Sequence, residues 1–422
     1  MKKSLILLWV SLISCSVFAQ DENLVYQDHV YLDNIRSIKF HPTGLMTEPP
    51  LINLGSSSQI YLTFDDLDPD VKIYTYRLIH CDADWTPSDL TEGEYINGYQ
   101  EEEIDNFEFS FNTFTQFTNY YLTLPNEDMV MTRSGNYLLV VYEDEDERIL
   151  AFTRRFMVVD PIMRVFPENA RPGMVSKFDT HQEIDFVVSH ENINIRNPQI
   201  EISAAVLQNG RWDNAIQNIK PQFQRTERLV FDFQDKIVFP AGKEFRFLDL
   251  RTLRNPSGEI YQIEQTPTSI DVTLLKDEKR FNKPYFEYDE LNGQFVVETF
   301  DGRDPNLESD YCSVLFSLYS PTEYYDEDVY IMGAFTDWEL KPEAKMVYNN
   351  RVNAYVGKYF LKQGYYNYYY ALVPKAGGPP QIDITEGNWF ETENMYTVLV
   401  YYRPFGTRYD QLVAARTISS RD

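Results

Sequence analysis

The sequence has few of the residues that carry enzymatic chemistry. Its 422 residues include only 5 His and 3 Cys. It contains no Gly-x-Ser-x-Gly nucleophile motif, no phosphate-binding loop and no dinucleotide fingerprint. Basic residues are also scarce, at 38 against 65 acidic residues, which gives a formal net charge of -27. Because nucleic acids and anionic membranes bind clustered Lys and Arg, we expect no nucleic-acid partner. We likewise expect no enzymatic activity, no cofactor and no small-molecule substrate.

A long apolar run occurs only at the N-terminus. Elsewhere, no stretch approaches the ~20 apolar residues that a membrane helix needs. Residues 1–19 have the basic start, apolar middle and small-residue cleavage site of a secretory signal peptide, which predicts a mature chain beginning at Gln20. The segment ending at Cys15 also fits a lipoprotein signal, in which that cysteine would carry a lipid anchor. Both alternatives predict an exported protein.

Aromatic residues are abundant, with 31 Tyr and 28 Phe, and these residue types favour strands and half-buried surfaces. They fall in short alternating runs separated by turn residues. This pattern predicts an all-β fold of tandem, immunoglobulin-like β-sandwich domains. We place an N-terminal β-sandwich domain at 20–160, a middle β-domain at 161–308 and a C-terminal immunoglobulin-like domain at 309–422. A proline and a polar stretch interrupt the strand pattern at the two internal boundaries.

His80 and Cys81 are adjacent, which suggests a nucleophile or a metal site. Neighbouring strand residues point to opposite faces, so the two side chains cannot readily pair as base and nucleophile. No second Cys/His pair lies nearby in the sequence to complete a zinc site. We therefore assign no catalytic, cofactor-binding or metal-binding residue. Cys81 and Cys312 can pair after export, but two separate buried thiols are the preferred interpretation.

Residues 365–370 are all Tyr except Asn367. Strand alternation places Tyr365 and Tyr369 on one face and the remaining tyrosines on the other. One face must belong to a core. The other face is either core as well, solvent-exposed, or docked to a partner, because exposed aromatic faces are typical of binding surfaces.

The segment from Gly333 to Trp338 resembles the glycogen-binding type of immunoglobulin-like module, which has a comparable Gly-x-Phe-x-x-Trp pattern. That module also has a later Gly-x-x-x-Tyr-Lys-Phe pattern, and this chain has Tyr369 at the position of the Lys. The sugar-binding platform is therefore incomplete. An exported carbohydrate-binding β-sandwich protein is accordingly the alternative function, since a shared fold does not by itself transfer function.

Several longer motifs occur in one order over nearly the whole mature chain, among them YxYxLIHCDADW, EYINGY, SFNT and YYLTLPN. Together they resemble the plug proteins of the type IX secretion system. The resemblance implies a non-enzymatic periplasmic protein that binds and closes the periplasmic opening of the outer-membrane translocon barrel, which would then be its partner. The matching segments are 74–85, 94–99, 110–113, 120–126, 239–249, 386–394 and 400–404.

The candidate family-signature and interface residues follow from these motifs. We expect those in the N-terminal domain to shape that domain rather than to catalyse a reaction. The candidate residues are Tyr76, His80, Asp84, Trp85, Tyr95, Asn112, Trp338, Tyr365, Tyr369 and Trp389.

Overall fold

The computed structural model describes residues 23–68, 70–144, 148–191, 193–256 and 258–422. The signal-peptide prediction for 1–19, with Cys15 and the start at Gln20, lies outside these residues. Among the residues described, strands account for 46% and helices for 5%, which confirms the all-β, multidomain sandwich prediction. In the same residues, no helix has both the length and the apolar character needed to cross a membrane.

The first domain is a sandwich of two sheets. Strands follow the order β1-β12-β11-β5-β7 in one sheet, with β3 added to β12, and β2-β4-β9-β8 in the other. A short helix, α1 (Glu92–Tyr95), precedes β6, which pairs with β10. The strands are β1 (His29–Val30), β2 (Ile35–Pro42), β3 (Leu51–Asn53), β4 (Ile60–Asp66), β5 (Tyr74–Cys81), β6 (Ile96–Gly98), β7 (Glu101–Glu103), β8 (Phe107–Phe109), β9 (Thr118–Leu124), β10 (Met129–Met131), β11 (Gly135–Glu143) and β12 (Ile149–Val159).

Alternating aromatic residues fill the space between these two sheets. The ring centroids of Phe64 and Tyr120 are 5.3 Å apart in a stacked pair, and Tyr74 meets Tyr120 edge-on at 4.8 Å. All three side chains are buried. Offset and edge-on aromatic pairs contribute stability beyond the area that they bury, so the aromatic-rich sequence directly specifies this core.

The middle domain begins directly after β12. Its first part includes a 3-10 helix (Val175–Lys177) and α2 (Pro198–Glu201). One sheet has the order β13-β14-β18-β17, with β19 added to β14. The strands of this part are β13 (Arg164–Ala170), β14 (His181–Ser189), β15 (Ile202–Gln208), β16 (Ile216–Ile219), β17 (Phe223–Arg225), β18 (Arg228–Phe231) and β19 (Val238–Pro240).

The third domain is built on one nine-stranded sheet in the order β20-β28-β25-β26-β27-β24-β22-β21, with β23 added to β28. It also contains α3 (Pro305–Glu308) and two 3-10 helices (Ala334–Thr336 and Pro342–Ala344). Its strands are β20 (Arg246–Asp249), β21 (Ile260–Gln265), β22 (Ile270–Leu274), β23 (Phe295–Val297), β24 (Tyr311–Tyr319), β25 (Glu327–Met332), β26 (Lys345–Asn349), β27 (Ala354–Lys362) and β28 (Gly364–Pro374).

The last two strands return to the middle domain. Strand β29 (Met395–Tyr402) pairs with β15 along its whole length, and β30 (Gln411–Ser419) pairs with β29. The second sheet of the middle domain therefore has the order β16-β15-β29-β30. The third domain is thus an insertion between β19 and β29.

These pairings depart from the expected boundaries at 308 and 309. Strand β20 pairs with β28, and β22 pairs with β24, so strands on both sides of that boundary share one sheet. The polar stretch at 301–310 is a link inside the third domain rather than a domain junction. Turn residues mark where a strand ends, but they do not encode which distant strand it pairs with.

Candidate functional site

The signature residues of the first domain hold its core and turns together. Tyr76 is buried and its hydroxyl accepts a hydrogen bond from Asn126 Nδ2 at 2.9 Å. Tyr95 is also buried, and its hydroxyl donates to the carbonyl oxygen of Leu78 at 3.2 Å. Both hydroxyls bind the chain's own polar groups, as buried polar atoms must. These two tyrosines therefore have structural roles.

His80 is a buried, neutral side chain. Its Nε2 lies 3.2 Å from the carbonyl oxygen of Ser134, and its Nδ1 lies 2.8 Å from Ser88 Oγ. Burial lowers the pKa of His80 to about 4, so Nε2–H donates to the carbonyl and Nδ1 accepts from the hydroxyl. The adjacent Cys81 and the distant Cys312 are both buried free thiols in the part of the chain described. Neither His80 beside Cys81 nor the two separate thiols provide a reactive pair.

Trp85 joins the first domain to the middle domain. The exposed Asp84 accepts hydrogen bonds from the backbone and hydroxyl of Thr86, which fixes a turn where Trp85 has a φ of 68°. The Trp85 ring meets Trp212 edge-on at 5.0 Å, and the Arg155 guanidinium lies 5.4 Å and 5.5 Å from the two rings. The HCDADW motif therefore builds an interdomain contact.

The remaining contact between these two domains resembles a protein core. The outer face of β11 and β12 packs on the sheet that contains β15, β29 and β30 through one shared cluster of buried residues. At its centre, Tyr401 in β29 donates to Asn136 Oδ1 in β11 at 2.8 Å, and both residues are buried. Such apolar contacts with satisfied polar groups hold domains in a fixed relation.

Trp338 and Tyr369 join the third domain to the middle domain. The Arg211 guanidinium lies 4.1 Å from the Trp338 ring and 5.7 Å from Tyr369, which is buried. Asp213 pairs with the same arginine at 2.6 Å. One face of the Trp338 ring is therefore covered by the chain's own Arg211. On that face the ring is not available as an open platform for a glycan.

The tyrosine run has an intramolecular role on both faces. Tyr366, Tyr368 and Tyr370 are buried in the core of the third domain. On the other face, Tyr369 docks towards the middle domain, and half-buried Tyr365 stacks on Phe247 at 5.9 Å. The docked face of the run thus meets another domain of the same chain.

Trp389 and Asn112 lie away from this contact. Half-buried Trp389 has Lys243 Nζ 4.1 Å from its ring, and its backbone N–H donates to the Gly242 carbonyl at 2.9 Å. It fastens the segment before β29 to the loop before β20. Asn112 is exposed in the turn after β8 and has a φ of 57°, a conformation that Asn tolerates well.

Two ion pairs connect the first and third domains, and the Lys362–Asp65 pair is buried on both sides. Lys362 Nζ lies 2.6 Å from Asp65 Oδ2, and Arg154 lies 3.1 Å from Asp337. A cavity of about 510 Å³ lies beside these contacts and is lined by both domains. Among the residues described, no group of three His, Cys, Asp or Glu side chains is placed to hold a metal ion.

A pair of exposed aromatic side chains lies on the edge strand of the first domain, β8. Phe107 is 37% exposed and Phe109 is 58% exposed, and their rings meet edge-on at 5.9 Å. We call these residues, with the exposed Val71 and Ile73, the aromatic edge. The candidate set included nearby Asn112 but neither phenylalanine. The sequence feature that could have identified these two residues is the alternation of Phe with polar residues in a segment that is also rich in acidic residues.

Three β-domains packed on one another, with an exposed aromatic edge on the first, define a multidomain β-sandwich protein. Residues 35–160, which contain β2 to β12 of the first domain, match the family model described as "Type 9 secretion system plug protein 1st domain". The chain belongs to the type IX secretion system plug protein family. No curated protein matches the chain.

Solved structures extend the likeness to the whole chain. The crystal structure of a hypothetical protein from Parabacteroides merdae ATCC 43184 is 32% identical and has a TM-score of 0.89. The match covers 94% of this chain and 100% of that chain. The collagen adhesin from S. aureus is 9% identical over 92% of each chain, with a TM-score of 0.12, which carries no structural argument. The arrangement of all three domains is therefore shared with the Parabacteroides protein.

Proposed function

We propose that this protein is a periplasmic plug, which binds and closes the periplasmic opening of the outer-membrane translocon barrel of the type IX secretion system. The match of residues 35–160 to the plug family carries the proposal. That match falls on the domain with the exposed aromatic edge, and aromatic side chains are enriched in protein interfaces. The type IX machinery is the expected setting of any partner.

The work of such a plug is steric. A body that blocks an opening must not deform when a chain or solute presses on it. The shared apolar cluster between the first and middle domains and the buried Lys362–Asp65 pair between the first and third supply that rigidity. Release then requires a partner or cargo that competes for the docking surface, since only a differential affinity shifts a binding equilibrium.

A deletion strain tests the closure of the barrel. Cells without the protein should admit large hydrophilic antibiotics or dyes across the outer membrane, while cargo export falls little, because obstruction is not part of transport. Re-expression of the wild-type protein should restore the barrier. A deletion strain that is no leakier than the wild type contradicts the proposal.

Affinity purification tests the partner. The tagged protein should co-purify with the translocon barrel from outer-membrane extracts when cargo is absent, and should be lost or displaced when cargo fills the channel. Failure to recover the barrel under either cargo condition contradicts the proposal.

A further inference from the structure

Strand β8 has one side bonded to β9 and one side that is open from Phe107 to Phe109. Two residues further on, the Phe111 N–H on that side donates to the Leu307 carbonyl at 2.9 Å, which bounds the open stretch. The carbonyl of Asn106 accepts from the Tyr121 N–H at 3.0 Å, and the Ser110 N–H donates to the Phe117 carbonyl at 2.9 Å, so these residues face β9. Backbone groups alternate in direction along an antiparallel strand, and the N–H and C=O groups of Phe107 and Phe109 therefore point away from β9. In the described chain the sheet ends at β8. This strand is a ready template for one more strand.

The side chains beside this template are apolar. Phe107 stands opposite Tyr120 in the strand register, so both phenylalanines lie on the face of β8 that looks towards the core. The segment with Val71 and Ile73 is held alongside, because the Lys72 N–H donates to the Tyr120 hydroxyl at 2.9 Å. Val71 is 48% and Ile73 54% exposed. An added strand would cover all four side chains of the aromatic edge.

The charged side chains around Phe107 and Phe109 are mostly acidic, and the nearby Lys72 is already paired with Asp66, Asp68 and Glu143. Glu102, Glu103, Asp105, Glu108 and Asp128 lie on or beside β7 and β8, and no ion pair to these carboxylates occurs within the residues described. Slight burial and the neighbouring carboxylates of Asp128, Asp105 and Glu103 raise the pKa of Glu102. The acids therefore form a region of negative potential that a cationic partner would neutralise.

The same charges argue against a second copy of this chain as the occupant. Two chains paired edge to edge through β8 would bring their acids together, and each carries a formal net charge of -27. Like charges across an interface disfavour pairing. Strand β8 itself contains no Lys or Pro, two residue types that blunt edge strands elsewhere. The surface fits an extended segment with basic side chains.

We propose that β8 of this protein receives an extended, basic segment of the translocon barrel, which pairs with the open side of β8 as an additional strand. The backbone groups of Phe107 and Phe109 bond to the segment, its apolar side chains cover the aromatic edge, and its Lys or Arg residues meet Glu102, Asp105 and Glu108. This proposal rests on the proposed plug function, because it assigns the segment to the translocon.

A synthetic peptide tests the chemistry of the site. The probe is a ten-residue peptide of alternating valine and lysine, and its control alternates valine and glutamate. The lysine peptide should bind the full-length protein, bind several-fold more weakly in high salt, and slow hydrogen–deuterium exchange of the Phe107 and Phe109 amides. Equal binding of the two peptides, or binding without slower exchange at these amides, overturns the proposal.

Matched variants test the residues. The double variant Phe107→Ala/Phe109→Ala should lose at least tenfold in peptide affinity and should no longer co-purify with the barrel. The control Phe286→Ala removes a 71% exposed ring on the third domain and should change neither result. The variant Glu102→Gln/Asp105→Asn should weaken peptide binding and flatten its salt dependence. Unchanged peptide binding in both double variants overturns the proposal.

The two proposals fail in different ways. If the wild type and the double phenylalanine variant both co-purify with the barrel, the edge-strand proposal fails and the plug function stands. If the wild type does not co-purify with the barrel but binds the lysine peptide, the plug function fails, and with it the assignment of the segment to the translocon.

Discussion

Lys362 in β27 and Asp65 in β4 form a buried ion pair between the third and first domains. Their side chains are only 2% and 1% exposed, and Nζ lies 2.6 Å from Oδ2. The same carboxylate accepts hydrogen bonds from the Tyr311 hydroxyl at 2.6 Å and from Asn119 Nδ2 at 2.8 Å. Burial lowers the pKa of Lys362, although the Asp65 charge opposes this effect. The stability of an ion pair that is buried to this extent depends on each of these hydrogen-bond partners.

Replacing Lys362 with Met should destabilise the protein by about 3–5 kcal/mol, because the Asp65 carboxylate would remain buried without its counter-charge. Lys358→Met is the matched control, since Lys358 pairs with Asp271 where the two side chains are 57% and 35% exposed. That exposed pair should contribute less than about 1 kcal/mol. Thermal unfolding of both variants measures the difference. Equal shifts in the thermal midpoint would show that the buried pair contributes no more than the exposed one.

Glu386 should make the protein sensitive to acid. Burial would raise its pKa, but Arg246 and Arg280, at 3.0 Å and 2.7 Å, outweigh burial and lower the pKa to about 2. The unfolded chain therefore takes up this proton first as the pH falls, from its ordinary pKa of 4.5. The stabilisation, on the order of 3 kcal/mol, is complete above about pH 4.5 and is lost as the pH falls towards 2.

The variant Glu386→Gln isolates this contribution from the other carboxylates. It should be less stable than the wild type at pH 7, and the gap between their thermal midpoints should narrow as the pH falls from 4.5 towards 2.5. A gap that stays constant over this range would assign the loss to packing rather than to the charge of Glu386.

Gly135 should not tolerate a side chain. Its φ is 148°, and a Cβ built on it would lie 2.4 Å from Nε2 of the buried His80. Gly135→Ala should therefore cost about 2–5 kcal/mol through overpacking and backbone strain. Gly93 in α1 has open space at the same position, so Gly93→Ala should change stability by less than about 1 kcal/mol. Chemical denaturation separates the two variants, and a Gly135→Ala protein as stable as its control would refute this packing.

The protein should not bind glucans. The Arg211 guanidinium lies 4.1 Å from the Trp338 ring and covers one of its faces. The full-length protein should pass immobilised starch or glycogen without retention. Micromolar retention that is lost in Trp338→Ala, at an unchanged thermal midpoint, would revive the carbohydrate-binding alternative.

The sequence predicted the local structure of the first domain well. The alternation in 74–81 and 120–124 reports strands with one buried face, and the structure has β5 and β9 there. The turn at Asp84 and Trp85 is equally local, because Asp readily bonds the backbone two residues further on. Such features depend on neighbours within a few residues.

The partners of the strands could not be predicted in the same way. Nothing near Met395–Tyr402 indicates that this strand pairs with Ile202–Gln208, almost two hundred residues earlier. The docked face of Tyr369 likewise depends on Arg211, which lies in another domain. Composition and alternation report burial, but the choice of a distant partner depends on packing that a single sequence does not display.

The candidate site shows the same limit. The motif residues drew attention because they are distinctive, and most of them lie in the core or in contacts between domains. Phe107 and Phe109 share the composition of buried strands, and only their place at a sheet edge leaves them exposed. Whether an alternating aromatic strand is covered is decided by its neighbours in the sheet.

Because the last two strands return to the middle domain, that domain cannot finish folding until the end of the chain has been synthesised. Before residues 395–419 emerge, β15 has β16 on one side and no neighbour on the other, and the apolar face of β11 and β12 lacks the contacts of Leu399, Tyr401 and Leu412. We expect the third domain, whose strands are contiguous in sequence, to fold before the middle domain that encloses it. A chain that ends before β29 would expose apolar surface on both the first and the middle domain. Because these surfaces would be exposed, we expect proteases to degrade incomplete chains before they bind a partner.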